Sequence, residues 1–304
     1  MSWVPVEWVK LRRKAKNFFW FWVKMIPFIG IFLAARSDKT SVNGFADAKS
    51  GATRLVLDMC DGNPGEPPPD SAFRDPKRLA DWGYTGQIVN SEVEGIATFD
   101  TLAPGAIPKG SAERAWADNH TALINDQIHK AHAVGVKCYA WMQVLVLPKA
   151  VANEFKDQIS NAQGRIDVHL PKTQELFRAQ LQEIFQKLPD LDGIVIRTGE
   201  IYLQSLPYHM AGFSNKGGLT LGSTAILHGP QSHIDMLTIL RDEVCVQRNK
   251  LVVYRTWDFG NGFHVNPSYY YAVTNAIDPH PNLIFSIKHQ AAMRPRDRRF
   301  RRQE

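Results

Sequence analysis

The sequence predicts an α/β protein of the (β/α)8 TIM-barrel type with only the first six βα units present, and three observations predict it. Between Arg54 and His289, short β-branched apolar runs alternate with longer stretches of helical periodicity, the rhythm of βαβ units and a parallel sheet. The runs are almost continuously apolar rather than alternating, as strands are when both faces of a sheet are covered. The long connections follow strand ends, while connections into strands are short, which is how barrels build their sites.

Taken in order, strands are expected at residues 54–60, 86–90, 136–144, 193–198, 251–257 and 282–289. The helix expected at 113–134 has apolar positions at helical spacing and stops at Gly135 before the third strand, where glycine suits a C-terminal cap. A second, at 173–188, follows Pro171 and closes at Pro189, as start and stop signals require. A third, at 232–247, precedes the fifth strand. An open doubly wound sheet would share this rhythm, but no GxGxxG or P-loop motif favours it. The long loops are the proline-rich 61–71, then 91–110 and 200–229.

The organisation expected is a basic and apolar N-terminal segment with its linker at 1–50, an incomplete barrel domain at 51–290 and a disordered Arg-rich tail at 291–304. The 304 residues are 44% apolar and 22% charged, within the globular range. Of the formal net charge of +6, residues 1–36 carry seven Lys/Arg against Glu7 and residues 291–304 carry six Arg against Asp297 and Glu304, which leaves −4 on the body between. A nucleic-acid partner therefore loses its electrostatic footing. The three cysteines, Cys60, Cys138 and Cys245, stand far apart without zinc-site spacing, so no metal and no organic cofactor is implied.

The N-terminal segment runs from a basic stretch (Lys10, Arg12, Arg13, Lys14, Lys16) into an aromatic-rich apolar one broken by Lys24 and Pro27. Its uncharged run, Met25 to Ala35, is shorter than the roughly 20 residues of a membrane span. Secretion, an interfacial anchor that touches a membrane, and a cytoplasmic protein with an unrelated leader stay open as readings.

Chemistry concentrates where strands end. The fourth reads Ile196-Arg197-Thr198-Gly199-Glu200, the fifth Tyr254-Arg255-Thr256-Trp257-Asp258 and the sixth Ser286-Ile287-Lys288-His289. A barrel would gather Arg197, Glu200, Arg255, Asp258 and Lys288 around one mouth. A carboxylic acid among apolar neighbours holds its proton near neutrality and can donate it to a glycosidic oxygen, the role open to Glu200. Arg and Lys would grip an anionic or hydroxyl-rich sugar, and Trp141, Tyr202 and Trp257 are suitable platforms for its ring. The bland alternatives are a salt-bridged loop carboxylate, strand-end ion pairs and aromatic core fillers.

These motifs, Val-Ile-Arg-Thr-Gly-Glu, Tyr-Arg-Thr-Trp and Asn-Leu-Ile-Phe-Ser-Ile-Lys-His, resemble the corresponding stretches of the family-67 α-glucuronidases and related barrel glycosidases. The resemblance covers about Arg54 to His289 and implies a glycoside hydrolase acting on a plant or microbial polysaccharide-derived sugar, acidic in that family. It implies Glu200 as catalytic acid and Arg197, Arg255 and Lys288 as substrate contacts. Two departures accompany it. The spacing from Arg197 to Glu200 is one residue shorter than the family's, and the Asp that serves as general base after the sixth-strand lysine is replaced by His289-Gln290 and Ala291-Ala292.

A second carboxylate is needed roughly 5 to 9.5 Å from the acid, and Asp58, Asp61 and Asp258 are the candidates left. Six parallel strands do not close a barrel, so the chain is expected to be a C-terminally shortened or altered version of a longer enzyme. The alternative is a catalytically inactive barrel remnant or carbohydrate-binding protein. The sequence does not indicate an oligomeric state.

Overall fold

The computed structural model describes residues 55–58, 74–198, 201, 203–213, 229–256, 263 and 266–287. The chain divides into two units, Met1–Ala52 and Thr53–Glu304, and the described residues all belong to the second. The N-terminal segment and the Arg-rich tail lie outside them.

The strands are β1 (Gly86–Glu92), β2 (Lys137–Gln143), β3 (Leu147–Pro148), β4 (Gly193–Arg197), β5 (His209–Met210), β6 (Leu251–Arg255) and β7 (Leu283–Ser286). The helices are α1 (Pro76–Asp81), α2 (Ala112–His132), α3 (Lys149–Glu154), α4 (Lys156–Ile159), α5 (Pro171–Lys187), α6 (Pro230–Leu240) and α7 (Pro267–Thr274). The ends of the helices carry their causes in sequence. Ser111 caps α2, its hydroxyl accepting from Arg114 N, and Asn266 caps α7 by accepting from Tyr269 N. Pro171, Pro230 and Pro267 open α5, α6 and α7, where a missing N–H costs nothing. Gly135 lies at φ 76° between α2 and β2, a left-handed turn that a side chain would strain.

The five long strands form one parallel sheet in the order β1-β2-β4-β6-β7, each beside the next long strand in the chain. A parallel bridge from Leu57 to Gly86 extends that order backwards by the first expected strand. A doubly wound sheet reverses its strand order partway; the described strands show no such reversal. The two faces also differ in partner. Val89, Ala140, Met142, Ile194, Ile196, Val252 and Tyr254 pack in one cluster with Ile124 and Ile128 of α2, Leu181 and Ile184 of α5 and Met236 and Leu240 of α6. The alternate positions Ile88, Tyr139, Trp141, Val195 and Val253 form a second cluster with no helix residue among its described members. The structure is a mixed α/β fold with a mostly parallel sheet.

Asp192 fastens the entry ends of three strands. Its carboxylate accepts from Cys138 N at 2.8 Å and from His132 Nε2 at 2.7 Å, and its backbone carbonyl accepts from Leu251 N at 3.0 Å. Next to it, Gly193 sits so close to β6 that a Cβ would stand 2.1 Å from Leu251 O.

Three features depart from the sequence reading. The expected helix 232–247 is α-helical only to Leu240 and continues as a π-helical turn, Arg241–Val246, in which the buried Glu243 carboxylate meets Arg178 at 3.2 Å and Arg248 at 3.3 Å. The stretch after β2, unassigned in sequence, holds β3, α3 and α4, and β3 pairs antiparallel with β5 from the loop after β4. The loop after β1 holds a 3-10 turn, Val93–Ile96, and then Phe99 at φ 56°. That turn is anchored because the Glu183 carboxylate of α5 accepts from Thr98 N and Phe99 N, each at 2.8 Å.

Candidate functional site

On the face away from the helices, side chains change character along the strands. At the entry end the Tyr139 ring lies where a Cβ on Gly86 would come within 2.6 Å of it, and Tyr139 pairs in register with Gly193. A large ring flanked by two glycines is how small and large residues alternate in a narrow layer. The middle row is Trp141, Val195 and Val253, with exposures of 3, 0 and 4%; Ile88, 3% exposed, pairs with Tyr139. At the exit end the row turns polar: Gln143 of β2 pairs with Arg197 of β4, and Arg255 ends β6 opposite Ser286 of β7.

Trp141 joins the two upper rows. The Arg197 guanidinium carbon stands 5.5 Å from the centre of its ring and that of Arg255 4.9 Å, so one indole seats two half-buried cations. A guanidinium over a tryptophan ring gains about 0.5–2 kcal/mol as it loses water, which offsets part of the repulsion between two like charges. The indole Nε1 is buried and has no hydrogen-bond partner. Trp141 therefore forms a floor beneath the arginines rather than an open platform facing solvent.

Hydrogen-bonded to Gln143 is a carboxyl group that sequence reading did not single out. Glu94, in the 3-10 turn after β1, is wholly buried, and its Oε1 accepts from Gln143 N and Gln143 Nε2, each at 3.1 Å. Its Oε2 has no partner. Burial, with Glu92 nearby, pushes the carboxyl well above the ordinary carboxylate range, because a charge is costly away from water. The signal in sequence is thin: one acid between Val93 and Gly95-Ile96, just past a strand.

A second group was also missed. On α2, Trp116 stacks on His120 with ring centres 4.8 Å apart and lies 5.7 Å from His209 of β5. His209 is 3% exposed, neither of its nitrogens has a partner, and burial together with His120 and Lys149 lowers its pKa to about 4.

Of the residues expected at the mouth, the structure describes Arg197, Arg255, Trp141 and Asp58 and brings the first three together. Glu200, Tyr202, Trp257, Lys288, Asp258 and Asp61 lie outside the described residues. Asp58, 5% exposed, lines a cavity of about 260 Å³ with Gln87 of β1 and Gln127 and Lys130 of α2. That places it on the helix side of the sheet, away from the row of Gln143, Arg197 and Arg255.

Among the described residues no group of three or more His, Cys, Asp or Glu is arranged to hold a metal ion. Burial, reinforced by Asp192, pushes the Cys138 thiol up to about 12, and burial pushes that of Cys245 to about 11. Both stay protonated and inert at neutral pH. No described helix is long and apolar enough to cross a membrane.

No protein-family model matches the sequence, and no curated protein does. Among solved structures the chain is similar to a GH138 enzyme targeting pectin rhamnogalacturonan II, at 13% identity and TM-score 0.43 over 76% of this chain and 26% of that one. It is also similar to CpGH84B, at 9% identity and TM-score 0.40 over 77% of this chain and 33% of that one. A third is an O-GlcNAc hydrolase mutant from Thermobaculum terrenum, at 10% identity and TM-score 0.37 over 76% of this chain and 40% of that one. The chain thus spans well under half the length of each of these glycoside hydrolases.

Proposed function

We propose that the chain binds a carbohydrate, acidic in kind, at the exit ends of β2, β4 and β6 and hydrolyses a glycosidic bond there. The observation that carries this reading is the pair of half-buried guanidinium groups, Arg197 and Arg255, seated on the single ring of Trp141. Paired guanidiniums offer several parallel N–H donors, the geometry a sugar carboxylate accepts best. The sequence adds Lys288 and, three residues after Arg197, Glu200 as general acid; the resemblance to the family-67 α-glucuronidases supports the same roles. The N-terminal segment would direct the protein to a membrane or across it.

Turnover of aryl glycosides and 4-O-methylglucuronoxylan fragments tests the reading. Glu200→Gln is expected to lower kcat by at least about a hundredfold, the usual worth of a general acid, with binding retained. Equal turnover in the two proteins would remove Glu200 from the chemistry. Binding of the fragments without turnover in either would leave a carbohydrate-binding protein, a reading favoured by Asp58 lying on the helix side of the sheet.

A further inference from the structure

We infer that residues 203–213, the strap that follows β4, undock from α2 in mild acid, and that His209 is the group that releases them. The device is independent of what binds beside Arg197. In the docked strap, β5 pairs with β3 through Met210–Leu147 and His209–Pro148. Tyr208 O accepts from Lys149 N at 2.8 Å, and Pro207 O accepts from Lys149 Nζ at 2.7 Å. Leu206, also buried, packs over Gly95, where a Cβ would fall 2.8 Å from its Cδ2 and equally close to Trp116 of α2. The His209 ring joins the same contact, its centre 5.7 Å from that of Trp116.

The imidazole fills this place only while neutral. It is 3% exposed and neither nitrogen has a partner, so a proton added to it finds no acceptor and the charge loses its water. Trp116 supplies no acceptor, since an indole nitrogen only donates. Burial, together with the charges of His120 on α2 and Lys149 at the start of α3, lowers the pKa of the ring to about 4. His120 is stacked on Trp116 with its Nε2 3.1 Å from Glu92 O. The acids of the adjoining elements serve other groups: Glu113 of α2 faces Lys149, and Glu94 accepts from Gln143. Residues 203–213 contain no Asp, Glu, Lys or Arg, so His209 is the one group of the strap that changes charge between roughly pH 4 and 8.

The direction follows from the two states of the ring. Once released it takes up a proton from about pH 6.5 downwards, while in the docked strap it resists to about 4. Docking is therefore strongest above pH 6.5 and weakens as pH falls, by about thirtyfold at pH 5.

Amide hydrogen exchange of the full-length protein, corrected for the intrinsic pH dependence of exchange, tests this. The amides of Lys149, His209 and Phe213, which donate to Tyr208 O, Leu206 O and Gly164 O, are expected to lose about thirtyfold in protection between pH 7.5 and 5. Their opening should be insensitive to low urea because it exposes little surface, whereas β2 and β4 exchange through the urea-sensitive global opening. His209→Leu, which takes up no proton, should hold the protection of the strap level across that range. If His209→Leu does not fold, His209→Gln should do the same from a lower starting level. Constant protection of the strap in the parent protein between pH 7.5 and 5 would overturn the inference, as would an equal loss in His209→Leu or His209→Gln. Strap amides that exchange only together with β2 and β4, at the same urea dependence, would also overturn it, because the strap would then have no opening of its own.

Discussion

Two buried histidines make the stability of this protein depend on pH. Burial lowers the pKa of His233 from 6.5 to about 4, and His209 is lowered to the same value by burial with His120 and Lys149. Both rings stay neutral in the folded chain, whereas in the unfolded chain they take up protons from about pH 6.5 downwards. Their contribution is therefore complete above pH 6.5 and lost as pH falls towards 4, by on the order of 3 kcal/mol each. Glu94 has the opposite sign. Its carboxyl is raised by burial, so the folded chain holds a proton that the unfolded chain releases above about pH 4.5, and stability declines as pH rises from there. Urea unfolding between pH 4.5 and 8 should show Glu94→Gln gaining on the parent protein with rising pH, and His209→Gln flattening the loss on the acid side. Parallel pH profiles in all three would contradict both assignments.

Among elements, the contact that decides most is the one between α5 and the π-helical turn after α6. Glu243, 2% exposed, receives Arg178 of α5 and Arg248 at 3.2 and 3.3 Å, and Gln182 of α5 donates to it at 3.2 Å. Removing one partner from a buried charge network leaves the others uncompensated, so Glu243→Ala should cost about 3–5 kcal/mol in urea unfolding. Gly193→Ala, whose Cβ would fall 2.1 Å from Leu251 O, should cost about 3 kcal/mol or more by forcing β4 from β6. The elements themselves were largely legible. Continuous apolar runs marked β1, β2, β4 and β6 because both faces of those strands are largely buried, and β7 by its apolar run alone; Gly135, Pro171 and Pro189 marked helix ends because their backbones leave few alternatives. The short β3–β5 pair was not legible. Two residues on each side joined across some sixty positions, as Leu147 is to Met210, leave no local period to read. The same limit hid Glu94: nothing near it in sequence shows that Gln143, 49 residues on, supplies its hydrogen bonds.

For the molecule as a whole, burial is graded across the sheet. Residues 138–143 of β2 and the first four of β4 are fully buried, while every residue of β7 is half-exposed. Hydrogen exchange should accordingly be slowest in β2 and β4 and distinctly faster in β7, since local openings follow buried contacts; uniform protection across the five strands would contradict this. At the strand ends of a body whose net charge is negative, two cations come together. The two arginines there do not act independently. Arg197 and Arg255 rest on the same indole, so removing either relieves the repulsion on the other and lets it settle over the ring. A double-mutant cycle on anion affinity should then show coupling of about 0.5–3 kcal/mol, and replacing Trp141 should abolish that coupling: what the tryptophan sets is how strongly each cation's loss is felt by the other.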